Sequence, residues 1–151
     1  MNQVGRWLVL VLALGLGANV GCRSNPGGSS SGQKGSAAPL EPILGSLDAP
    51  AKGSTLRETG IVGGWAVAGS GVKRVGIYID RQFNRFVNLD GKRPDIAKLY
   101  GKDYPGADMA GWTFILDVSK MADGDHQMVM RVESNKGAIR DFDPVPFQVT
   151  H

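Results

Sequence analysis

The sequence predicts an all-β fold, an antiparallel sandwich with one short helix, and three observations predict it. From Leu47 the chain runs in short apolar segments with period-2 alternation, glycine and Asx turns separate them, and no long stretch carries helical spacing. Successive side chains on a strand point to opposite faces, so an alternating run offers one face to a core and one to water. Several such runs can share a single core.

Taken in order, Ile61, Gly63, Trp65 and Val67 share one parity and make the first run, and Val75, Ile77 and Ile79 make the second. Trp112, Phe114, Leu116 and Val118 follow, then Met128, Met130 and Val132, then Val145, Phe147 and Val149. Turn signals stand between runs at Gly69-Ser70-Gly71, Asp123-Gly124-Asp125 and Asn135-Lys136-Gly137. Edge strands near Thr55 and Phe83 bring the count to that of a sandwich. Arg93 to Tyr100 breaks the pattern. Pro94 suits the first helical position, Asp95 the positive end, Ile96, Leu99 and Tyr100 an apolar stripe, and Gly101 the stop. A short helix is expected between the fourth and fifth strands.

The chain of 151 residues holds 17 Lys and Arg against 14 Asp and Glu. Its cations are scattered, whereas a nucleic-acid partner needs a basic cluster, so none is expected. Cys22 is the one cysteine. An intrachain disulfide, a cysteine nucleophile within the domain and a thiolate metal site are thereby excluded, and burial alone must hold the domain together.

Met1 to Arg6 is short and basic, and Trp7 to Leu16 is nearly all Leu, Val and Ala, which reads as the n-region and h-region of an export signal. The run is shorter than the roughly 20 residues of a permanent membrane helix. Its end, Asn19-Val20-Gly21-Cys22, resembles the lipobox of bacterial lipoproteins, although Asn19 stands where that pattern usually has an aliphatic residue. The resemblance implies cleavage before Cys22 and acylation of it; ordinary signal cleavage near Gly17 or Gly21 is the alternative. Acyl chains contribute about 0.8 kcal/mol per buried methylene, so two or three of them anchor a protein stably. Arg23 after the cysteine implies the outer membrane, by resemblance to the sorting rule of enteric lipoproteins. Arg23 to Gly45 is rich in Gly, Ser and Pro and too poor in apolar residues to order itself. It is expected to be a flexible tether with a reach on the order of 25 Å. The expected organisation is a signal peptide over 1–21, a lipid-anchored linker over 22–45 and a β-sandwich over 46–151.

Within the last of these, Leu47-Asp48-Ala49-Pro50 with Gly53, Gly64-Trp65-Ala66, Val75-Gly76-Ile77-Tyr78-Ile79-Asp80, Arg93-Pro94-Asp95-Ile96-Ala97, Ala110-Gly111-Trp112, Leu116-Asp117 and Gly124-Asp125-His126 together carry a family likeness. The chain resembles an immunoglobulin-like domain of bacterial exported and glycan-associated proteins, often an accessory module beside enzymes. The likeness implies a sandwich and an accessory role. It brings no active site, and the cysteine pair of antibody domains is missing here.

Chemistry has few candidates. His126 beside Asp123 and Asp125 suggests a base or metal ligand, yet Asp125 faces the other side of the strand and the other histidine is the terminal His151; a turn-capping role is expected, without metal or cofactor. Asp141 and Asp143 with Asp123 and Asp125 have the oxygen donors calcium favours, but the two pairs fall at opposite ends of an immunoglobulin-like order. No Gly-x-Ser-x-Gly and no phosphate-loop ending occur. Arg93, Asp95, Tyr100, Lys102, Tyr104 and Trp112 gather around the helix. Such aromatic and charged residues form a sugar- or peptide-binding surface, or else pair Arg93 with an acid and cover an open edge of the core. Trp65, mid-strand, is expected in the core. The function expected is a non-catalytic, lipid-anchored interaction or assembly module of the bacterial envelope with a protein or glycan partner. Carbohydrate binding is the alternative, and an envelope hydrolase the alternative of another class.

Overall fold

Period-2 segments need an apolar partner face, and in the computed structural model, which describes residues 41–151, they find it in each other. The strands are β1 (Ile43–Ala49), β2 (Ser54–Leu56), β3 (Thr59–Ala68), β4 (Val72–Ile79), β5 (Gln82–Val87), β6 (Gly111–Asp117), β7 (Gly124–Ser134), β8 (Ile139–Asp141) and β9 (Val145–Val149). Helix α1 (Pro94–Tyr100) and a 3₁₀ turn (Ala107–Met109) lie between β5 and β6. One sheet has the order β1-β3-β6; the other runs β2-β9-β7-β4-β5 with β8 beside β7. Neighbours are antiparallel except β2 with β9. This is an immunoglobulin-like sandwich, its strands passing between sheets in Greek-key fashion.

Every expected strand is present, and two more appear. The expected signal peptide, the expected lipid site at Cys22 and most of the expected tether lie outside the described residues. The tether's expected end at residue 45 is corrected, because β1 starts at Ile43, which is buried. Glu41 is already fixed: the Ser70 backbone N–H and hydroxyl both donate to its Oε1 at 2.7 Å. β8 is a three-residue edge piece with all residues exposed, so no apolar pattern marks it.

The core between the sheets contains Val62, Val75, Ile77, Trp112, Leu116, Val118, Met128, Met130, Val132, Phe147 and Val149. Burial of each large side chain stabilises by about 1.5–3 kcal/mol. The expected parity holds in β4, β6, β7 and β9 but is corrected in β3. There Val62, Ala66 and Ala68 face the core, while Ile61 is 65% exposed. The reason is a third layer. Trp65 and Val67 on the outer face of β3 are covered by α1 and the 3₁₀ turn, in a second cluster with Ile96, Ala107 and Ala110. A strand covered on both faces has apolar residues at both parities, so alternation cannot tell the faces apart. Gly64 admits Trp112 to the core: a Cβ there would come within 3.0 Å of the indole Cζ2 and within 2.2 Å of the Ser46 carbonyl oxygen.

The β4–β5 hairpin turns through Asp80 and Arg81, with φ of 50° and 68°. Two positive φ values define the type I′ turn that suits strand twist, and aspartate tolerates this region better than arginine. Arg81→Gly should therefore stabilise the domain by about 0.5–1 kcal/mol, since the gain at φ > 0 outweighs glycine's entropy. A higher denaturant midpoint at unchanged slope is the expected reading; an unchanged or lower midpoint would contradict the strain.

Candidate binding surfaces

Residues Arg93 to Tyr104 form a strut on the outer face of the three-stranded sheet. The Arg93 guanidinium donates to Asp95 (Nη2 to Oδ2, 2.8 Å) and, across to β1, to Asp48 (Nη1 to Oδ2, 3.0 Å). It also lies 5.9 Å from the Trp65 ring centre. The Arg93 hydrogen bonds hold the Asp95 carboxyl at a pKa of about 2, and Asp95 raises that of Arg93 in turn. Tyr100 stacks on Trp65 at 5.8 Å, and Tyr104 meets Tyr100 edge-on at 5.8 Å. Beneath them Ile96, Ala107 and Ala110 seal against Val67.

The six candidate residues therefore divide. Arg93, Asp95, Tyr100 and Tyr104 do come together, but their charges neutralise one another and their rings cover the second cluster. Lys102 is exposed at the margin and makes no ion pair among the described residues. Trp112 is removed from the surface: it is 2% exposed and packs in the main core. Trp65, expected in that core, is the tryptophan under Arg93. Beside the strut runs a shallow groove of about 320 Å³, between Asp48 and Arg93 on one side and Ile61 and Thr113 on the other.

A different face concentrates exposed aromatic surface. On the outside of the larger sheet, Tyr78, Phe83, Phe86 and Ile139 stand among Arg74, Arg131 and Glu133. Phe83 and Phe86 are 50% and 54% exposed, and their ring centres are 4.8 Å apart. Tyr78 meets Phe83 edge-on at 5.6 Å. Arg74 covers Phe86 at 5.1 Å and Arg131 covers Tyr78 at 4.9 Å. Both arginines are held in place, Arg131 by a two-pronged bond to Asp141 at 2.6 and 2.7 Å and Arg74 by Glu133, which also accepts from Lys73. Phe83 and Phe86 are three residues apart, so a regular strand would put them on opposite faces. A bulge prevents this: Tyr78 lies opposite Phe83 while its neighbour Ile77 lies opposite Arg85, and Asn84 is left over. Bulges on edge strands re-aim side chains in this way. Sequence reasoning missed the face for that reason; the signal available was three large apolar residues, Phe83, Phe86 and Val87, around Asn84 and Arg85.

His126 has a holding role. Its Nδ1 lies 2.6 Å from Asp80 Oδ2 and its Nε2 lies 2.9 Å from the Ala122 carbonyl oxygen, while its ring stacks on Phe147 at 5.5 Å. Both partners accept, so both contacts are hydrogen bonds together only when the ring carries two protons. The Asp80 bond first, then the Ala122 carbonyl, raise its pKa above the ordinary 6.5. Asp80 also accepts from the Gln127 backbone N–H at 2.9 Å, so the clamp ties the β4–β5 turn to β7. The four aspartates considered for calcium do not meet: Asp141 is taken by Arg131, and Asp123 accepts from the backbone N–H of His151. Among the described residues no group of three or more His, Cys, Asp or Glu is placed to hold a metal ion.

No protein-family model matches the chain, and no curated protein sequence matches it. Solved structures share its fold. The endo-beta-1,4-mannanase from Thermotoga petrophila aligns with 73% of this chain at 14% identity and a TM-score of 0.51, over 20% of its own length. The fibronectin(III)-like modules of Clostridium thermocellum CbhA align with 71% of this chain at 13% identity and a TM-score of 0.50, over 46% of theirs. CopC from Methylosinus trichosporium OB3b aligns with 72% of this chain and 92% of its own at 17% identity, with a TM-score of 0.35, too low to define a common topology. The chain thus spans less than half of the mannanase and of the CbhA structure. At these identities the likeness defines the class of the domain, a β-sandwich module, and nothing more particular.

Trp112→Ala should cost about 3–5 kcal/mol of stability, as loss of a core aromatic does; a cost below about 1 kcal/mol would return Trp112 to the surface. The His126 clamp makes stability depend on pH. Because the folded pKa is raised, its contribution is complete below 6.5 and is lost as pH rises through the folded value. Chemical denaturation across that window should show a decline in the parent that His126→Gln lacks. Parallel curves would remove the clamp.

Proposed function

We propose that the chain is a non-catalytic interaction module, tethered by a lipid on Cys22 to the outer membrane of a bacterial envelope, that docks proteins through the outer face of its larger sheet. The observation that carries this reading is the set of half-exposed rings at Phe83 and Phe86 framed by pinned arginines. Aromatic residues and arginine are the types that concentrate binding energy in protein contacts, and here they are already ordered. The export signal, Val20-Gly21-Cys22 and the Gly/Ser-rich stretch after it support the tether. Carbohydrate recognition is less well served. Sugars stack on open, level ring faces, whereas Phe83 is tilted 54° to Phe86 and 69° to Tyr78, and two of the three rings lie under guanidinium groups.

A photo-crosslinking residue at Ile139 should give discrete protein adducts in intact cells, and Phe83→Ala with Phe86→Ala should abolish them. Adducts no stronger than those from Lys120, exposed on the β6–β7 turn, would defeat the docking face. In the same cells Cys22→Ser should end fatty-acid labelling and release the protein from membranes; unchanged membrane association would defeat the anchor.

A further inference from the structure

The outer face of the larger sheet has a hole in its middle, and Gly76 makes it. One row across that face reads Asp141, Arg131, Gly76 and Phe86, each residue opposite the next on β8, β7, β4 and β5. Along β4, Arg74 and Tyr78 stand two residues to either side of Gly76 on the same face. The absent side chain leaves a cup of about 110 Å³ lined by Arg74, Arg131, Tyr78 and Phe86 with Glu133 and Ile139. A Cβ on Gly76 would lie 3.3 Å from the Tyr78 ring and 3.5 Å from that of Phe86. Glycine weakens a strand interior, and one of its uses there is to admit another group close to the backbone.

The guanidinium groups around the cup are held but not used up. Arg74 gives its Nε to Glu133 and Arg131 gives Nε and Nη2 to Asp141, so among the described residues Arg74 Nη1 and Nη2 and Arg131 Nη1 have no hydrogen-bond partner. Both Glu133 oxygens are taken, one by Lys73 and one by Arg74. Three cations, Lys73, Arg74 and Arg131, stand against two carboxylates, Glu133 and Asp141, which leaves the site with one net positive charge. We infer that the cup receives a carboxylate, the side chain of an acidic residue on the docked protein, which enters over Gly76 between Arg74 and Arg131. This deepens the docking reading of the same face and rests on it. A carboxylate accepts from guanidinium groups at both its oxygens, in charge-assisted bonds. A cationic side chain would be repelled by the net charge, and an apolar one would leave the same N–H groups unpaired once water is expelled. Phe83 and Phe86 then supply contact area, and the cup supplies selectivity.

NMR titration of the exported chain carrying Cys22→Ser with the tripeptide acetyl-Glu-Phe-Glu-amide, and with its counterpart acetyl-Gln-Phe-Gln-amide, tests this. The acidic peptide should bind in the millimolar range, shift the Gly76 amide and the Arg74 and Arg131 Nε–H signals most, and bind about tenfold or more tightly than the glutamine peptide. Arg74→Gln, which leaves Lys73 on Glu133, should weaken it about tenfold. Gly76→Val, which fills the cup and spares both ion pairs, should abolish it; if that variant fails to fold, Arg74→Gln carries the test. Equal binding of the two peptides, or shifts centred elsewhere, overturns the inference. The Ile139 adducts separate it from the docking reading. Adducts unchanged by Arg74→Gln with Arg131→Gln would defeat the cup and keep the docking face. Absence of any adduct defeats the docking face, and with it the protein partner, whatever the peptides do.

Discussion

The layer of side chains between the two sheets holds this domain without help from any crosslink. Its one cysteine, Cys22, lies outside the described residues, so packing of Trp112, Phe147, Ile77 and the three stacked positions Met128, Met130 and Val132 carries the cohesion. β7 contributes those last three and contacts β4, β8 and β9 at once. Strands at the margins can then bulge, twist or remain short without loss of the fold. The bulge in β5 and the three-residue strands β2 and β8 are all at such margins.

On this base the two outer faces have different chemistry. Over the smaller sheet, Arg93 reaches two carboxylates on separate elements and lies over Trp65, which fixes the helix over Trp65 and Val67 while Ile61 and Ile115 on the same face stay exposed. Over the larger sheet, charge pairs also form, but they hold guanidinium groups against rings that stay half in water. Similar residue types yield a closed structure in one place and an open contact surface in the other. The difference is whether a further layer covers them. The His126 clamp connects this surface to β7, because Asp80 sits in the turn that leads into β5.

Much of the fold was legible along the chain. β4, β6, β7 and β9 each have one covered face, and their alternation marks it directly. The helix was legible from Pro94, Asp95 and Ile96, whose preferences are local, although Gly101 ends it in a right-handed conformation and the left-handed glycine is Gly106. Less of the binding surface was legible. Arg93, Asp95, Tyr100 and Tyr104 were rightly grouped, yet grouping does not say whether rings face water or cover a core. For the same reason the grouping did not separate Trp112, which keeps the core-facing parity of its strand, from Trp65, which packs under Arg93 in the second cluster.

The sequence by itself determined the class of the domain, its strand periodicity, its inserted helix and the exclusion of disulfide and thiolate chemistry, because these depend on near-neighbour patterns and composition. Only the tertiary structure decided which face of β3 is inside, that β1 begins at Ile43, and that Phe83 and Phe86 share a face. Those outcomes depend on layers and registers between segments far apart in the chain. A third layer over β3 and one extra residue in β5 relative to β4 leave no periodic trace in either strand alone.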